Sequence, residues 1–60
     1  MIQYMPKHEI AWYSASTRRL YQEWRRLKGV VTYQTASELR HVEGRMQAEM
    51  EYEDLFGKRI

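Results

Sequence analysis

The strongest pattern in the chain is an apolar stripe in its first half. Large, mostly apolar side chains recur at alternating spacings of three and four residues, which places them on one face of an α-helix. The stripe consists of Ile10, Tyr13, Thr17, Leu20, Trp24 and Leu27. Pro6 is suited to open a helix, and Gly29 is a typical stop. The pattern predicts a helix over residues 7–28, after an arm over residues 1–6 that could include a short strand.

The start of this first helix has two interpretations. Ser14 and Ser16 are favourable N-caps, because a serine hydroxyl accepts a hydrogen bond from a backbone amide of the first turn. If a serine caps the helix, the helix begins near Thr17, and residues 10–13 belong to the arm. If the helix instead includes Trp12, this side chain lies off the stripe, and we expect it to be exposed.

A second helix is predicted over residues 35–56. Thr35 and Glu38 have the spacing of a capping box, in which a hydroxyl and a carboxylate bond free backbone amides reciprocally. The buried stripe of this helix consists of Leu39, Val42, Met46 and Met50. Gly44 costs a helix about 1 kcal/mol relative to Ala. Its presence predicts a close backbone approach or a bend at that position.

The connection between the two helices, residues 29–34, favours an extended backbone. It contains Val30, Val31, Thr32 and Tyr33, and β-branched and aromatic residues are enriched in strands. A single short strand cannot satisfy its own backbone hydrogen bonds. We therefore expect this segment to pair with the N-terminal arm or with a second copy of the chain.

The stripe of the second helix fails after Met50. Three large apolar residues fall well away from it, namely Tyr52, Leu55 and Phe56, whereas the acidic Glu49 and Glu53 fall near it. Either the helix breaks there, or its end serves a second surface. Residues 57–60 form a tail.

These segments predict one small, mostly all-α domain over residues 1–60, a two-helix hairpin with a short extended connection and an N-terminal arm, which dimerisation could complete. A chain of 60 residues buries only about 60% of its unfolded surface. It has no cysteine for disulfides, and its two histidines make a poor metal site. We expect no metal and no cofactor.

No apolar run approaches the roughly 18 residues of a membrane span. The first ten residues also lack the apolar core of a signal peptide. We therefore expect a soluble, cytoplasmic protein without a membrane partner, of a size typical of microbial or viral reading frames.

The charges are distributed unevenly. Residues 1–33 carry six Lys or Arg and two Glu, a balance of +4, whereas residues 34–60 carry four Lys or Arg and six acids, a balance of −2. The basic face of the first helix consists of Arg18, Arg19, Arg25 and Arg26, with Lys28 beside them. Trp12, Tyr21 and Trp24 interleave with it. The face could be solvated, pair with the acidic second helix, bind a protein or grip nucleic-acid phosphates.

The C-terminal residues 51–56 have the composition of a short linear motif. Their ending, Asp54-Leu55-Phe56, resembles that of bacterial sliding-clamp-binding peptides; it matches three of five motif positions and lacks the leading Gln. In this interpretation Leu55 and Phe56 anchor in a groove of a partner. The alternative is that Leu55 and Phe56 close a small core and that Asp54 pairs with Lys58.

Catalysis has little support in the sequence, because the chain lacks a Cys nucleophile and a Gly-rich phosphate loop. Glu49 and Glu53 could share a proton, but we expect a solvated pair. We expect a non-enzymatic regulator or inhibitor that docks an aromatic and arginine-rich helical surface onto a larger protein. The predicted partner-binding residues are Trp12, Arg18, Arg19, Arg25, Arg26, Tyr52, Leu55 and Phe56. The alternatives are nucleic-acid binding through the basic face and a subunit of a small homo-oligomer, such as a homodimer.

Overall fold

The computed structural model describes residues 5–58 as two helices packed against each other. A single 3-10 turn, Ile10–Trp12, precedes helix α1, Ala15–Gly29, and helix α2, Ala36–Phe56. No strand occurs between residues 5 and 58. The prediction of a mostly helical two-helix hairpin is confirmed. Most of the predicted arm, including any strand over residues 1–4, lies outside the described residues, as do residues 59 and 60 of the tail.

Helix α1 begins at Ala15, so the prediction of a helix from residue 7 is wrong for residues 7–14. Ser14 has an extended backbone, and its side chain accepts a hydrogen bond from the Thr17 amide. The Ser14 amide donates to Glu53 Oε1 at 2.8 Å, so it cannot continue a helix from the preceding turn. The shorter, serine-capped alternative describes this end better. Helix α1 ends at Gly29, as the sequence predicts within one residue.

The connection after Gly29 is a turn, and the prediction of an extended segment over residues 29–34 is wrong. The Thr35 hydroxyl accepts a hydrogen bond from the Thr32 amide at 2.8 Å, and the Ala36 amide donates to the Thr32 carbonyl at 3.0 Å. These local bonds satisfy backbone groups that a lone strand would leave unpaired.

Helix α2 is continuous from Ala36 to Phe56, within one residue of its predicted bounds. The predicted capping box is not formed: Thr35 has a helical backbone and makes no side-chain cap bond, because its hydroxyl serves the turn. The helix does not break after Met50. It ends at Phe56, and the following Gly57 has a φ of 85°, which glycine adopts readily.

The core lies between the two helices and confirms both predicted stripes. Its buried apolar residues are Tyr13, Trp24, Leu27, Val42, Met46 and Met50, and Ile10, Trp12, Leu20, Tyr21 and Leu39 pack against it half-buried. The core is small, so single polar contacts weigh heavily in the stability of the hairpin.

Gly44 lies on the exposed side of α2. A Cβ atom added at this position would have nothing within 4 Å, so the prediction of a close backbone approach is wrong. We expect Gly44→Ala to stabilise the protein by about 1 kcal/mol, because Ala is the better helix former. Thermal denaturation followed by circular dichroism should show a midpoint about 4–8 °C higher.

The control is Gly57→Ala, since the positive φ of Gly57 strains any residue with a Cβ. This change should lower the midpoint. A lower midpoint for Gly44→Ala would show that the glycine has a structural role in α2.

Candidate functional site

The hairpin is closed at one end by the buried carboxylate of Glu53. This side chain is 0% exposed, although glutamate is almost never fully buried unless paired. Its Oε1 accepts from the Ser14 amide at 2.8 Å, and its Oε2 accepts from the Ser14 hydroxyl at 2.9 Å. The Thr17 hydroxyl also donates to Oε2, and Thr17 is 0% exposed. The N-terminal end of α1 is thereby bound to the last turn of α2.

Asp54 makes a second attachment next to the first. Its Oδ1 accepts from the Tyr13 hydroxyl at 2.8 Å and lies 3.5 Å from His8 Nε2. The Tyr13 hydroxyl in turn accepts from the His8 amide at 3.3 Å. We call these contacts, together with those of Glu53, the carboxylate clamp. The clamp folds residues 8–14 over the end of α2.

Two members of the carboxylate clamp are closed to solvent, whereas Ser14 is half-buried. The hydroxyls of Ser14 and Thr17 donate to a carboxylate, an arrangement that resembles the activation of a nucleophilic hydroxyl by a base. Thr17 and Glu53 are nevertheless fully enclosed, and a catalytic group must touch the substrate. The expected solvated pair of Glu49 and Glu53 is wrong for Glu53, which points into the hairpin.

Trp12 belongs to the same end of the molecule. Its ring stacks on His8 at a centroid distance of 3.9 Å and meets Tyr13 edge-on at 5.2 Å. Lys58 Nζ lies 5.6 Å from the centroid of the indole. The side chain is half-buried and packs against the core. The expectation of an exposed Trp12 is therefore wrong, because residues 7–14 do not form the helix from which it would project.

The predicted arginine face is present on α1. All of its members, Arg18, Arg19, Arg25 and Arg26, are exposed. Three acids of α2 make hydrogen bonds away from the arginine face. Glu53 and Asp54 bond in the carboxylate clamp, and Glu43 accepts from the Trp24 indole at 3.0 Å. The acidic helix thus directs much of its charge inward, while α1 presents its charge to solvent.

An open groove lies beside the arginine face. It has a volume of about 530 Å³ and is lined by Met5, Pro6, Tyr21, Trp24, Arg25, Lys28 and Gly29. Arg25 lies over the Tyr21 ring at 5.9 Å, and Lys28 Nζ lies over the Trp24 ring at 4.7 Å. We call this the aromatic groove. The cations of the protein itself cover a face of each ring.

The remaining predicted site residues, Tyr52, Leu55 and Phe56, form an apolar patch on α2, which we call the C-terminal patch. Their exposed fractions are 44%, 73% and 73%, and the rings of Tyr52 and Phe56 lie 5.1 Å apart. The alternative in which Leu55 and Phe56 close the core is therefore wrong. Residues 51–56 are helical and therefore do not form an extended peptide of the kind that binds sliding clamps. Asp54 instead contacts Tyr13 and His8.

The structure therefore separates the predicted site residues into three places. The arginine face lies on α1, the C-terminal patch lies on α2, and Trp12 packs beside the carboxylate clamp. The sequence contained one signal for the clamp, since Glu53 falls on the buried stripe of α2. It contained no local signal for the partners of Glu53, which lie 36 and 39 residues away.

Two further properties bound what the described part of the chain can do. Between residues 5 and 58, no three His, Asp or Glu side chains are grouped so that they could hold a metal ion. Neither helix in this range is long and apolar enough to cross a bilayer. Comparison of the chain with protein-family models, curated proteins and solved structures finds no match.

The clamp predicts a large effect for one isosteric change. In Glu53→Gln an amide replaces the carboxylate, so an NH2 group faces backbone and hydroxyl donors. We expect a loss of about 2–3 kcal/mol in the free energy of unfolding. Urea denaturation measures this loss.

Gln47→Glu is the matched control, because Gln47 is exposed on the same helix and the change exchanges the same two groups. We expect it to change stability by less than about 0.5 kcal/mol. Equal effects of the two changes would show that the buried carboxylate does not hold the hairpin together.

Proposed function

We propose that this protein is a small non-enzymatic regulator or inhibitor that binds a larger protein. In this proposal the arginine face of α1 and the adjoining aromatic groove dock onto an acidic surface of the partner. The observation that carries the proposal is the exposed arginine face itself, on a hairpin whose acidic helix uses Glu43, Glu53 and Asp54 in bonds of its own.

The charge of α1 supports a negatively charged partner. Between Ala15 and Gly29 the helix carries five Lys or Arg and one Glu. Complementary potentials steer encounter and suppress wrong partners. Arginine is also enriched at protein interfaces, because its planar guanidinium binds carboxylates with two parallel hydrogen bonds.

The aromatic groove favours a protein over a nucleic acid as the binding partner. Sequence-tolerant binding of single strands relies on bases that stack on exposed aromatic rings. Arg25 and Lys28 lie over the rings of Tyr21 and Trp24, and Trp12 is stacked on His8. A base would have to displace these groups. An acidic protein surface could bind the cations where they lie and pack apolar side chains against the remaining ring edges.

The test is capture of partners by the tagged full-length chain from nuclease-treated extract of the cells that encode it. Arg18→Glu and Arg25→Glu should each reduce the captured amount of a specific protein about tenfold, because like charges then face each other. Arg40→Glu is the matched control, since Arg40 is exposed on α2, and it should leave capture unchanged. Circular dichroism verifies that each variant is folded.

Two results would contradict the proposal. One is capture of the same proteins by the Arg18→Glu and Arg25→Glu variants in unchanged amounts. The other is loss of capture on nuclease treatment, together with oligonucleotide binding that falls log-linearly with salt, which is the signature of phosphate contacts.

A further inference from the structure

A second groove lies beside the last turns of α2 and shares Met5 with the aromatic groove. It has a volume of about 240 Å³ and is lined by Met5, Lys7, Glu51, Asp54 and Leu55. Met5 is 77% exposed and Leu55 is 73% exposed. We call it the Leu55 groove. It adjoins the C-terminal patch, because Tyr52 and Phe56 flank Leu55 on the last two turns of α2.

We propose that a second copy of this chain occupies the Leu55 groove and forms a twofold-symmetric dimer. In this dimer Leu55 and Met5 of each copy pack against the same residues of the other copy. Lys7 of each copy faces Glu51 of the other. The inference goes beyond the proposed function and does not depend on it.

The charges of the groove favour a second copy as its occupant. A twofold interface brings the same patch of both copies together, so the patch must be complementary to itself. The Leu55 groove has apolar side chains and one outward charge of each sign, on Lys7 and Glu51. Asp54 also lines it, but its carboxylate is engaged with Tyr13 and His8. A rotation that brings Lys7 opposite Glu51 brings Glu51 opposite Lys7 as well.

The size of the core favours the same occupant. Between residues 5 and 58 the hairpin encloses six apolar side chains, and domains this small commonly gain stability by oligomerisation. Tyr52, Leu55 and Phe56 lie together on the outward side of α2, with exposures of 44–73%. A second copy would cover this apolar surface on both chains at once.

The dimer would also bear on partner binding. The C-terminal patch is exposed on α2, and the arginine face is exposed on α1. No arginine lines the Leu55 groove, so pairing through it would leave both arginine faces at the surface of one particle. Two linked binding surfaces raise the apparent affinity for a repetitive or symmetric acidic partner.

Sedimentation equilibrium of the pure, full-length protein over a wide concentration range tests the dimer. The wild type should show a reversible monomer–dimer equilibrium. Leu55→Asp should weaken dimerisation at least tenfold, because it places a charge in the apolar centre. Tyr33→Asp is the matched control, since Tyr33 is 99% exposed in the turn at the other end of the hairpin, and it should leave the dissociation constant unchanged.

Charge exchange distinguishes contacts between copies from contacts within one chain. Lys7→Glu and Glu51→Lys should each weaken self-association at least tenfold. In either variant residues 7 and 51 carry the same charge and repel each other between the two copies. A mixture of these two variants should form a heterodimer about as tightly as the wild type pairs with itself, since both opposite-charge pairs are restored between copies.

Three results would overturn the inference. They are a monomeric wild type at every concentration, an unchanged dissociation constant for Leu55→Asp, and a mixture of the charge variants that stays monomeric. Circular dichroism and urea denaturation establish that each variant is folded. These measurements use the pure protein, so their failure is distinguishable from a failure of partner capture.

Discussion

The carboxylate of Glu53 sets the arrangement of the hairpin. Moving a carboxylate from water into a protein interior costs several kcal/mol unless hydrogen bonds replace its solvation. Here the amide and hydroxyl of Ser14 and the hydroxyl of Thr17 supply that replacement. The need to solvate this carboxylate constrains both helices. It fixes where α1 begins, because the Ser14 amide is committed to the other helix. It also fixes which side of the last turns of α2 faces the core.

That rotation of α2 decides what the surface presents. With Glu53 directed inward, Tyr52, Leu55 and Phe56 are directed outward, and Asp54 reaches Tyr13 and His8. Three acids of α2, Glu43, Glu53 and Asp54, are thus bonded within the fold, whereas the arginines of α1 face solvent. The buried carboxylate accounts for the exposed apolar surface on α2, whereas the buried stripe of α1 leaves the cationic surface on the other face of that helix. The proposals for a protein partner and for a second copy follow from these surfaces.

The sequence predicted those features of the fold that local periodicity controls. The two stripes identified the buried faces, because large side chains that recur over several turns leave little freedom in register. The predicted bounds of α2 are also correct within one residue. The start of α1 and the position of Trp12 were predicted wrongly for a shared reason. Both depend on hydrogen bonds between residues 36 to 41 positions apart, and periodicity within a segment contains no information about such contacts. The turn at Thr32 and Thr35 was missed because two threonine hydroxyls outweighed the strand propensity of the valines.

The most direct test of the role of Glu53 is native-state hydrogen exchange at the Ser14 amide, followed by NMR. This amide precedes the first residue of α1, where an ordinary helix end exchanges rapidly. If its bond to Glu53 closes the hairpin, the opening free energy of the Ser14 amide should lie within about 1 kcal/mol of the values for the core of α2. Exchange of this amide at the rate of an unstructured peptide, with the core of α2 still protected, would contradict the account.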